Sequence, residues 1–405
     1  MDDQKRYKIS LCPVCRYDIG IIFFYGGSQP LAILGWPQSV REAESMQRFK
    51  LEYLQCPNCT HVWNDAFSYD DIPYQKNPMR MFNQGGAWQG HLGTTRDLVI
   101  SKLSDFPTVI DIGCGEGHFV RGVAEKLSSH GRFIGFDPDS SNESGNGLEF
   151  YSRLFDPLSD INEFKPDMVI LRHVIEHLTN PAEFLRKLAW GSAKSEKELW
   201  LFAEVPCIDR VFETDRLSDF YYEHPSQFTS KSFKTLMEMG GEVVDLDLGY
   251  GGEVIFALVK LGVPAVNLER SEEAYSFWQR SMASKIKIEK QLVNLDSEGK
   301  RVAIWGGTGK AAAFINHYDA TKGSEIIVVD SDKSKVGTFV PGSGKEIYYR
   351  DELKNRAIDV VIIPPQWRAK DIVTEMEREG IVVEKVLIEH NGGLIDFEHD
   401  AHPYK

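Results

Sequence analysis

Short apolar segments alternate with amphipathic segments over residues 79 to 296, and this pattern predicts alternating strands and helices. Between Ala265 and Leu295, apolar residues recur at helical spacing among Glu, Lys and Arg, which predicts a long amphipathic helix at the end of this block. Strands that alternate with helices indicate a parallel sheet covered on both faces. The predicted strands are Thr108–Ile112, Phe133–Asp137, Asp167–Arg172 and Glu198–Glu204, followed by a hairpin near Val243–Lys260.

A third block begins at Gly299-Lys300 and repeats the alternation on a smaller scale. Residues 1 to 78, by contrast, show little regular periodicity. We therefore divide the chain into residues 1–78, 79–296 and 297–405, and predict two α/β layers in tandem behind a small N-terminal domain. The strands predicted in the third block are Arg301–Trp305, Glu325–Asp330, Asp359–Pro364 and Lys385–Glu389.

Composition and charge narrow the class of protein. The chain has 405 residues, of which 42% are hydrophobic and 26% charged, and these values are typical of a globular protein with two or three domains. No run of about 18 apolar residues occurs, and the first ten residues lack an apolar signal core, so we expect a cytoplasmic enzyme. The net charge of −14 argues against a nucleic-acid partner and favours a small-molecule substrate.

Four of the six cysteines form two CxxC pairs, Cys12-Pro-Val-Cys15 and Cys56-Pro-Asn-Cys59. Each pair places two thiolates close enough to share one tetrahedral ion, so the two pairs predict a four-cysteine zinc site. The alternative is redox chemistry, but a redox CxxC normally occurs singly at a helix start. Because four ligands leave no open position, the Zn²⁺ is expected to be structural. The remaining two, Cys114 and Cys207, are expected to be small buried hydrophobic residues.

A glycine-rich turn follows the first predicted strand of the middle block. The sequence Asp111-Ile-Gly113-Cys-Gly115-Glu-Gly117 precedes a helical pattern over His118–Leu127. Glycines let the backbone turn sharply and approach a ligand closely, although dinucleotide-binding folds use similar turns. Here the spacing is DxGxGxG and not GxGxxG, and Asp111 can take the amino group of a methionine moiety directly or through water. The turn therefore predicts a site for S-adenosylmethionine.

Two further residues extend the predicted cofactor site. Asp137 ends the second predicted strand, where a carboxylate accepts hydrogen bonds from ribose hydroxyls. His173 lies just past the strand Asp167–Arg172, at the carboxyl edge where open sheets bind ligands. The sequence leaves two positions open for the His173 side chain, in the wall of the cofactor pocket or on the surface.

A segment dense in proton-handling groups, Tyr221 to Phe228, follows the strand that ends at Glu204. A second histidine, His177, occurs in Ile175-Glu176-His177-Leu178, where Glu176 and His177 also fit an ordinary helix start. One histidine is more often structural than catalytic, but two near one cofactor face favour catalysis. Methylation of a carbon beside a ketone requires a base to remove a weakly acidic proton, and histidine has a pKa of ~6.5. The enolate oxygen then needs a donor such as tyrosine or a charged histidine.

Five motifs together make the chain resemble the three-domain sugar C-methyltransferases, which act on nucleotide-linked 4-keto sugars. The resemblance runs nearly the full length, over a zinc domain, a domain for S-adenosylmethionine and a C-terminal Rossmann-like domain. The motifs are the paired CxxC sequences, Asp111-Ile-Gly-Cys-Gly-Glu-Gly117, Tyr221-x-Glu223-His224-x-Ser226-x-Phe228, Tyr250-Gly251-Gly252-Glu253, and Val302-Ala-Ile-Trp305-Gly306-Gly307-Thr308-Gly309-Lys310 followed by Phe314-Ile-Asn316.

The resemblance implies roles for individual residues in deoxysugar biosynthesis. His224 is the expected base that removes the proton from C3 of the sugar, next to the C4 ketone. Tyr221 and Glu223 are its expected partners, and His177 is a second active-site histidine. The loop residues Gly306, Gly309 and Lys310, with Asn316, are expected to help hold the nucleotide sugar. A glycine turn at a helix start offers N–H groups to phosphate, although a plain strand-to-helix turn is the alternative.

The chain departs from this family in two places. Family members usually carry a tyrosine- and serine-rich run after the zinc domain, which contributes to the active site. Here Trp88 and His91 fit that pattern, and Tyr74 is the nearest candidate for the tyrosine. The loop in the third domain, which usually contains alanine, reads Gly-Gly-Thr-Gly-Lys. These changes leave open a different sugar, or an acceptor that is not a sugar.

Three other functions compete with this prediction. A small-molecule O- or N-methyltransferase needs no enolate, and His224 would then deprotonate a hydroxyl or orient the substrate. A nucleic-acid methyltransferase would carry an Asp/Asn-Pro-Pro-aromatic loop at the end of a central strand, but that strand ends in Leu171-Arg172-His173. The similar Ile363-Pro-Pro-Gln-Trp367 lies in the third block. A non-enzymatic binder of sugar nucleotides is disfavoured by the intact cofactor turn.

The predicted fold class is α/β, with a small N-terminal zinc-binding domain, a central Rossmann-like methyltransferase sheet and a smaller C-terminal Rossmann-like α/β domain.

Overall fold

The computed structural model describes residues 6–72, 83–139, 142–193, 195, 197–320 and 326–405. The chain divides into two compact units, Met1–Pro264 and Ala265–Lys405. The three-part division made from the sequence stays a prediction. That division ends the middle block at residue 296, whereas the second compact unit begins at Ala265 and so includes the long helix. Within the described ranges, no helix combines the length and the apolar character needed to cross a membrane.

The elements follow one another in chain order. The strands are β1 (Tyr7–Ile9), β2 (Ile19–Gln29), β3 (Phe49–Gln55), β4 (Val62–Asn64), β5 (Thr108–Ile112), β6 (Arg132–Phe136), β7 (Leu148–Tyr151), β8 (Met168–Arg172), β9 (Trp200–Pro206), β10 (Ser226–Gln227), β11 (Gly241–Gly249), β12 (Val254–Leu261), β13 (Val302–Trp305), β14 (Ile327–Asp330), β15 (Ile347–Tyr349), β16 (Val360–Ile362), β17 (Lys385–His390) and β18 (Gly393–Asp396). The helices are α1 (Val40–Glu44), α2 (Gly86–Ile100), α3 (His118–Lys126), α4 (Ser159–Phe164), α5 (Pro181–Ser192), α6 (Asp209–Thr214), α7 (Ser230–Met237), α8 (Ala265–Ser297), α9 (Lys310–His317), α10 (Glu352–Asn355) and α11 (Ala369–Arg378).

The central sheet of the first unit has seven strands in the order β11-β12-β9-β8-β5-β6-β7. The five strands from β9 to β7 are parallel, whereas β12 pairs antiparallel with β9, and β11 pairs antiparallel with β12. Strand β5 is buried except for its first residue, Thr108, as expected for a strand covered on both faces, and Asp111 is its charged residue. Strand β11 lies at the edge and is mostly exposed. Strand order reverses between β5 and β8, and open sheets bind ligands beyond the carboxyl ends at such a reversal.

The N-terminal block forms a five-stranded antiparallel sheet in the order β1-β2-β3-β4-β10. The period-two pattern expected of such strands is interrupted, because the β2–β3 register shifts between Ile22 and Phe24 and again between Tyr25 and Gly27. Each bulge moves the following side chains to the other face. The last strand, β10, is only Ser226–Gln227 and comes from the middle block. The N-terminal block is thereby continuous with the segment that carries His224.

The second unit contains a six-stranded sheet in the order β15-β14-β13-β16-β17-β18. Its strands are parallel except for the β17–β18 pair. Strand order again reverses, here between β13 and β16, so the second unit repeats the Rossmann-like plan.

The α/β fold class predicted from the sequence is confirmed. Strand β5 has the predicted limits, and the other predicted strands differ from the observed ones by one to a few residues at their ends. The hairpin near Val243–Lys260 is β11–β12, and the long helix is α8. The strands that the sequence analysis missed are β1–β4, β7, β10, β15 and β18.

Candidate active site

The glycine-rich turn joins β5 to α3 at the carboxyl edge of the central sheet. Gly113 and Gly117 have φ angles of 66° and 74°, in the left-handed region that favours glycine. The backbone N–H groups of Gly113 and Cys114 donate to the Phe136 carbonyl, at 2.7 and 3.1 Å. Gly117 then begins α3 as its N-cap residue. The turn is therefore fixed to the end of β6, with its backbone at the reversal of strand order.

Two carboxylates lie beside this turn. Asp137 accepts hydrogen bonds from the Gly115 N–H at 3.0 Å and from the Asp139 N–H at 2.9 Å. Asp111 lies within β5 and is 3% exposed. Burial raises the pKa of Asp111 to about 7, although the Arg172 guanidinium opposes this shift. Asp111 is thus a buried acid whose charge changes near neutral pH, whereas Asp137 is partly engaged by the backbone of the turn.

The loop after β8 packs directly against the glycine turn. A Cβ atom placed on Gly113 would lie 2.3 Å from Cγ2 of Val174. The preceding residue, His173, has a φ angle of 52°, and its backbone N–H donates to the Glu204 carbonyl at 2.9 Å. This sharp change of direction leads the chain from β8 into the short helical turn Ile175–His177. The two loops of the predicted site are therefore adjacent.

The Glu204 carboxylate, which is 0% exposed, is surrounded by cationic and imidazole groups at the end of β9. Its Oε1 accepts hydrogen bonds from Nε and Nη2 of Arg172 at 3.1 and 2.7 Å. Its Oε2 lies 2.6 Å from His91 Nε2, and His173 Nε2 lies 3.1 Å from Oε1. Although burial opposes ionisation, these neighbours hold the pKa of Glu204 well below its usual range. Burial alone would lower the pKa of His173, but Glu176 and Glu204 raise it.

The Tyr250-Gly251-Gly252-Glu253 motif lies beside Trp88 and His91. The Tyr250 ring meets the Trp88 ring edge to face, with centroids 5.1 Å apart. Glu253 accepts hydrogen bonds from Arg216, at 3.1 and 2.8 Å. Trp88 and His91 belong to α2, so this motif packs against the start of that helix.

The two histidines of the predicted acid–base site are brought together. The rings of His177 and His224 meet edge to face, with centroids 4.7 Å apart. The Tyr221 hydroxyl lies 3.0 Å from His224 Nε2. His177 Nδ1 donates to the Glu223 carbonyl at 2.7 Å, which leaves the lone pair on Nε2 of the neutral ring. Burial and the neighbouring His177 and His173 hold the pKa of His224 well below its usual range, so the ring is neutral at neutral pH.

Glu223 is placed differently from the partner role that the resemblance implied. Its Oε1 accepts hydrogen bonds from the backbone N–H groups of Ile33 and Leu34, at 2.7 and 3.1 Å. Its Oε2 is buried and has no hydrogen-bond partner within the described residues. The carboxylate thus fastens the N-terminal block to the histidine segment, while its second oxygen is left for another group.

Three more contacts hold this segment in place. The Tyr53 hydroxyl is 2.8 Å from the Tyr221 carbonyl and 3.2 Å from the His224 carbonyl. The Ser226 hydroxyl donates to the Leu178 carbonyl at 2.9 Å. Tyr53 is fully buried in β3, so the hydroxyl cannot move without disturbing the N-terminal sheet.

The sequence analysis missed two acidic members of the site. Glu176 was compatible with an ordinary helix start, yet its side chain is only 2% exposed. One of its carboxylate oxygens and one nitrogen from each of His177 and His224 lie within 4.8 Å of one another. Glu204 was noted only as the end of a strand, and Arg172 and Tyr53 were not singled out. A charged residue inside an apolar strand is the one signal that could have indicated Glu204.

The four cysteines of the CxxC pairs converge, and all their sulfur atoms lie within 4.8 Å of one another. The Sγ atoms of Cys12 and Cys59 are 3.6 Å apart, and those of Cys15 and Cys56 are 3.4 Å apart. A disulfide would require about 2.05 Å, whereas four thiolates at 2.3 Å from one zinc ion would be separated by about 3.8 Å. The sulfur positions therefore fit a tetrahedral ion better than a disulfide.

The two cysteine knuckles have the same backbone geometry. In the first, the Cys12 N–H donates to the Tyr17 carbonyl and the Arg16 N–H donates to the Cys12 carbonyl. In the second, Cys56 makes the equivalent bonds with His61 and Thr60. Arg16 and Thr60, at matching positions, have φ angles of 64° and 66°. This repetition and the burial of three of the four cysteines fit a closed metal site, with no position open to substrate.

The glycine loop of the second unit lies between β13 and α9. Gly306 and Gly309 have φ angles of 108° and 60°, and Lys310 is exposed as the first residue of α9. The amide of Asn316 donates to the carbonyls of Ala312 and Pro341, at 2.7 and 2.9 Å, and is therefore occupied by the backbone. Tyr74, the candidate for the family's tyrosine, lies outside the described residues.

A Rossmann-like sheet with a glycine turn and two acids at its reversal of strand order is the arrangement expected of a nucleoside-containing cofactor site. Residues 88–244 match a family model described as a methyltransferase domain, and residues 264–385 match one described as a C-methyltransferase C-terminal domain. The chain is an S-adenosylmethionine-dependent methyltransferase.

Among known proteins, the chain is similar to the C-methyltransferase NovU of Streptomyces niveus. The two are 23% identical over 424 residues, which cover 96% of this chain and 95% of NovU. A similar solved structure is the 1,6-didemethyltoxoflavin-N1-methyltransferase of Burkholderia thailandensis, with 10% identity, a TM-score of 0.32, and coverage of 44% of this chain and 82% of that one. CalO1, a methyltransferase in calicheamicin biosynthesis, has 14% identity, a TM-score of 0.32, and coverage of 44% and 56%.

The buried carboxyl of Asp111 makes stability depend on pH. An unfolded aspartate has a pKa of about 3.9, whereas the folded value is about 7. Ionisation of Asp111 therefore lowers the free energy of unfolding progressively as pH rises from about 4 to about 7. We expect Asp111→Asn to be more stable than the wild type at a pH of about 8, and the difference to vanish near pH 4. Urea unfolding at both pH values measures this, with the exposed Asp105→Asn as control. A less stable Asp111→Asn at pH 8 would contradict it.

Proposed function

We propose that this enzyme transfers the methyl group of S-adenosylmethionine to a carbon atom of a nucleotide-linked keto sugar, at C3 next to a C4 ketone. The observation that carries the proposal is the pairing of His224 with Tyr221 and His177, on a loop system packed against the glycine turn. Methyl transfer to oxygen or nitrogen forms no enolate. It therefore needs neither a base for a C–H proton nor a hydrogen-bond donor for an enolate oxygen.

The first chemical requirement is removal of the proton from C3. His224 is neutral because burial and the neighbouring histidines disfavour its charged form, so it has a lone pair available. As the C3–H bond breaks, its electrons form the C3=C4 bond of an enolate, the C4 carbonyl pair moves onto oxygen, and the proton moves to His224. We assign His224 as the base on this ground, and the resemblance of Tyr221-x-Glu223-His224 to the family motif supports it.

The second requirement is a donor for the enolate oxygen. Burial raises the pKa of the Tyr221 hydroxyl, so this group keeps its proton and can donate it in a hydrogen bond. His177 is held by the Glu223 carbonyl through Nδ1 and presents Nε2 to the same space. We assign Tyr221 and His177 to orientation and charge stabilisation of the substrate, and Glu223 to fixing the segment through the N-terminal block.

S-adenosylmethionine supplies an electrophilic methyl group on a sulfonium centre. For its binding we assign Asp111 to the methionine amino group, Asp137 to the ribose hydroxyls, and Gly113, Gly115 and Gly117 to close approach of the backbone. His173 faces Glu176 and Glu204 at the same edge, and we assign it to the wall of the cofactor pocket. The residues of the chain thus orient the cofactor while His224 prepares the carbon.

For the nucleotide part of the substrate we assign the second unit. Asp330 ends β14 and accepts a hydrogen bond from the Gly307 N–H at 3.1 Å and one from the Asp332 N–H at 2.9 Å. Asp137 makes the same pair of contacts with Gly115 and Asp139 in the first unit. This repetition supports a nucleoside at the Gly306–Lys310 loop, with Lys310 near its phosphate. Because the amide of Asn316 donates to backbone carbonyls, we assign this residue to stabilising α9, the helix that follows the loop.

We propose Zn²⁺ as a structural ion held by Cys12, Cys15, Cys56 and Cys59. The N-terminal sheet that these cysteines close also carries Tyr53 and the pairing partner of β10. The ion therefore supports the histidine segment indirectly and takes no part in the reaction.

His224→Ala is expected to reduce carbon methylation by at least about 100-fold, because a general base contributes 10²–10⁴-fold. Affinity for S-adenosylmethionine should stay within about twofold of the wild type. The assay incubates labelled S-adenosylmethionine with a panel of nucleotide-linked keto sugars and locates the label by NMR. His130→Ala, at an exposed histidine, is the control. Retained activity in His224→Ala would refute the base assignment, and label on oxygen would refute carbon transfer.

Gly113→Ala is expected to weaken binding of S-adenosylmethionine by about tenfold or more, since the left-handed backbone costs 1–3 kcal/mol and the new Cβ meets Val174. Isothermal titration calorimetry measures the affinity. The double variant Gly113→Ala/Val174→Ala should regain part of it by relieving the contact. Gly93→Ala, where a Cβ meets nothing within 4 Å, is the matched control. Wild-type affinity in Gly113→Ala would exclude this turn as the cofactor site.

Cys59→Ser is expected to lower zinc content and the thermal midpoint together, because metal binding contributes folding free energy. Metal analysis by mass spectrometry and a thermal melt measure both. Cys207→Ser is the control, since Cys207 is buried but lies outside the cluster. Well-folded wild-type protein that contains no zinc would contradict the assignment.

A further inference from the structure

The Glu176 carboxylate has no evident role in holding the fold. Its side chain is 2% exposed, and neither oxygen has a hydrogen-bond partner among the described residues. Buried polar atoms almost always have partners, and a buried carboxylate without them is costly. We therefore expect this carboxylate to interact with a ligand or a proton that enters the site.

The groups around Glu176 are mainly imidazoles. His173 Nδ1 lies 3.5 Å from Oε1, and nitrogens of His177 and His224 lie within 4.8 Å. Tyr221 is near enough for the carboxylate to raise its pKa. Behind His173, the Glu204 carboxylate is paired with Arg172 and His91. On the other side, Glu223 is bound to backbone N–H groups. Glu204 is thus engaged by its partners and Glu223 through one of its oxygens, whereas neither oxygen of Glu176 accepts a hydrogen bond from a described residue.

The base needs a negative charge nearby at the moment it works. Burial and the two neighbouring histidines disfavour a proton on His224. A proton taken from the substrate would place a positive charge in that same buried space. Charges at such distances interact strongly where water is excluded, so a carboxylate within 4.8 Å offsets much of this cost.

We infer that Glu176 is a positioning residue of the reaction: its carboxylate is the counter-charge of the histidine cluster and stabilises the imidazolium that forms when the substrate proton reaches His224. The inference rests on the proposed function. The proton moves from C3 to a ring nitrogen of His224, the C3–H electron pair forms the enolate, and Glu176 forms no bond. It acts through His224 and is not itself the base.

The decisive variant is Glu176→Gln, which keeps the shape and removes the charge. With a nucleotide-linked 4-keto sugar as the probe, we expect kcat to fall about 100-fold while KM for S-adenosylmethionine is unchanged. The kinetic isotope effect with deuterium at C3 should increase, because proton removal becomes slower. Loss of the negative charge lowers the pKa of the imidazole, so the rising limb of kcat/KM should move to lower pH. Glu176→Asp keeps the charge and should keep the wild-type pH profile.

Glu183→Gln is the matched control, because this glutamate is exposed on α5 and paired with Lys187. It should behave as the wild type in every measurement. If Glu176→Gln lowers kcat but leaves the isotope effect and the pH profile unchanged, the role of Glu176 is merely structural and the inference is overturned. Loss of wild-type activity in EDTA and its return with Mg²⁺ or Mn²⁺ would also overturn it, since the carboxylate and imidazoles would then serve a cation.

A second measurement needs no substrate and separates this inference from the proposed function. NMR titration of the histidine rings in the full chain should show a lower pKa for His173 in Glu176→Gln, because Glu176 is one of the two groups that raise it. An unchanged His173 titration would overturn the counter-charge even if the wild type methylates carbon. Conversely, a wild type that methylates only oxygen refutes the proposed function and leaves this titration informative.

Discussion

The buried carboxylate of Glu204 imposes the constraint on which the cofactor side of the site depends. A charge that is fully removed from water is tolerated only with well-placed partners. Glu204 therefore requires Arg172 from the neighbouring strand, His91 from α2 and His173 from the loop, all within 3.1 Å. The cross-strand pair Arg172–Glu204 follows from the parallel register of β8 and β9. His173, held beside Glu204, has a left-handed backbone conformation, and the chain turns sharply at this residue. The turn places the Val174 side chain against Gly113 of the glycine turn.

The histidine segment depends on a different contact, between two parts of the chain that are far apart in sequence. Two residues of β10 extend the N-terminal sheet, and Tyr53 and Glu223 add hydrogen bonds between that sheet and the histidine segment. The cysteine cluster closes the same sheet. The N-terminal block thus holds the segment that carries His224, and the cysteine cluster and this segment lie in one compact unit.

The two units share one hydrogen-bond arrangement at the end of the second strand of the parallel sheet. In each, an aspartate at the end of the second strand accepts hydrogen bonds from a glycine N–H and from the residue two positions later. The difference is electrostatic, because Lys335 lies 3.2 Å from Asp330 while Asp137 lacks such a cation among its described contacts. The same backbone arrangement therefore follows the second strand of the parallel sheet in each unit.

The sequence by itself determined the α/β class, the limits of β5, the glycine turn and the convergence of the CxxC pairs, because these depend on local spacing and on apolar runs. It did not determine the N-terminal sheet, since two bulges in β2 break the period of two. Only the tertiary structure decided that Glu176 and Glu204 are buried beside the histidines. In the sequence a glutamate at a short helical turn looks the same whether it faces water or three imidazoles, because its surroundings come from strands and loops that are distant along the chain.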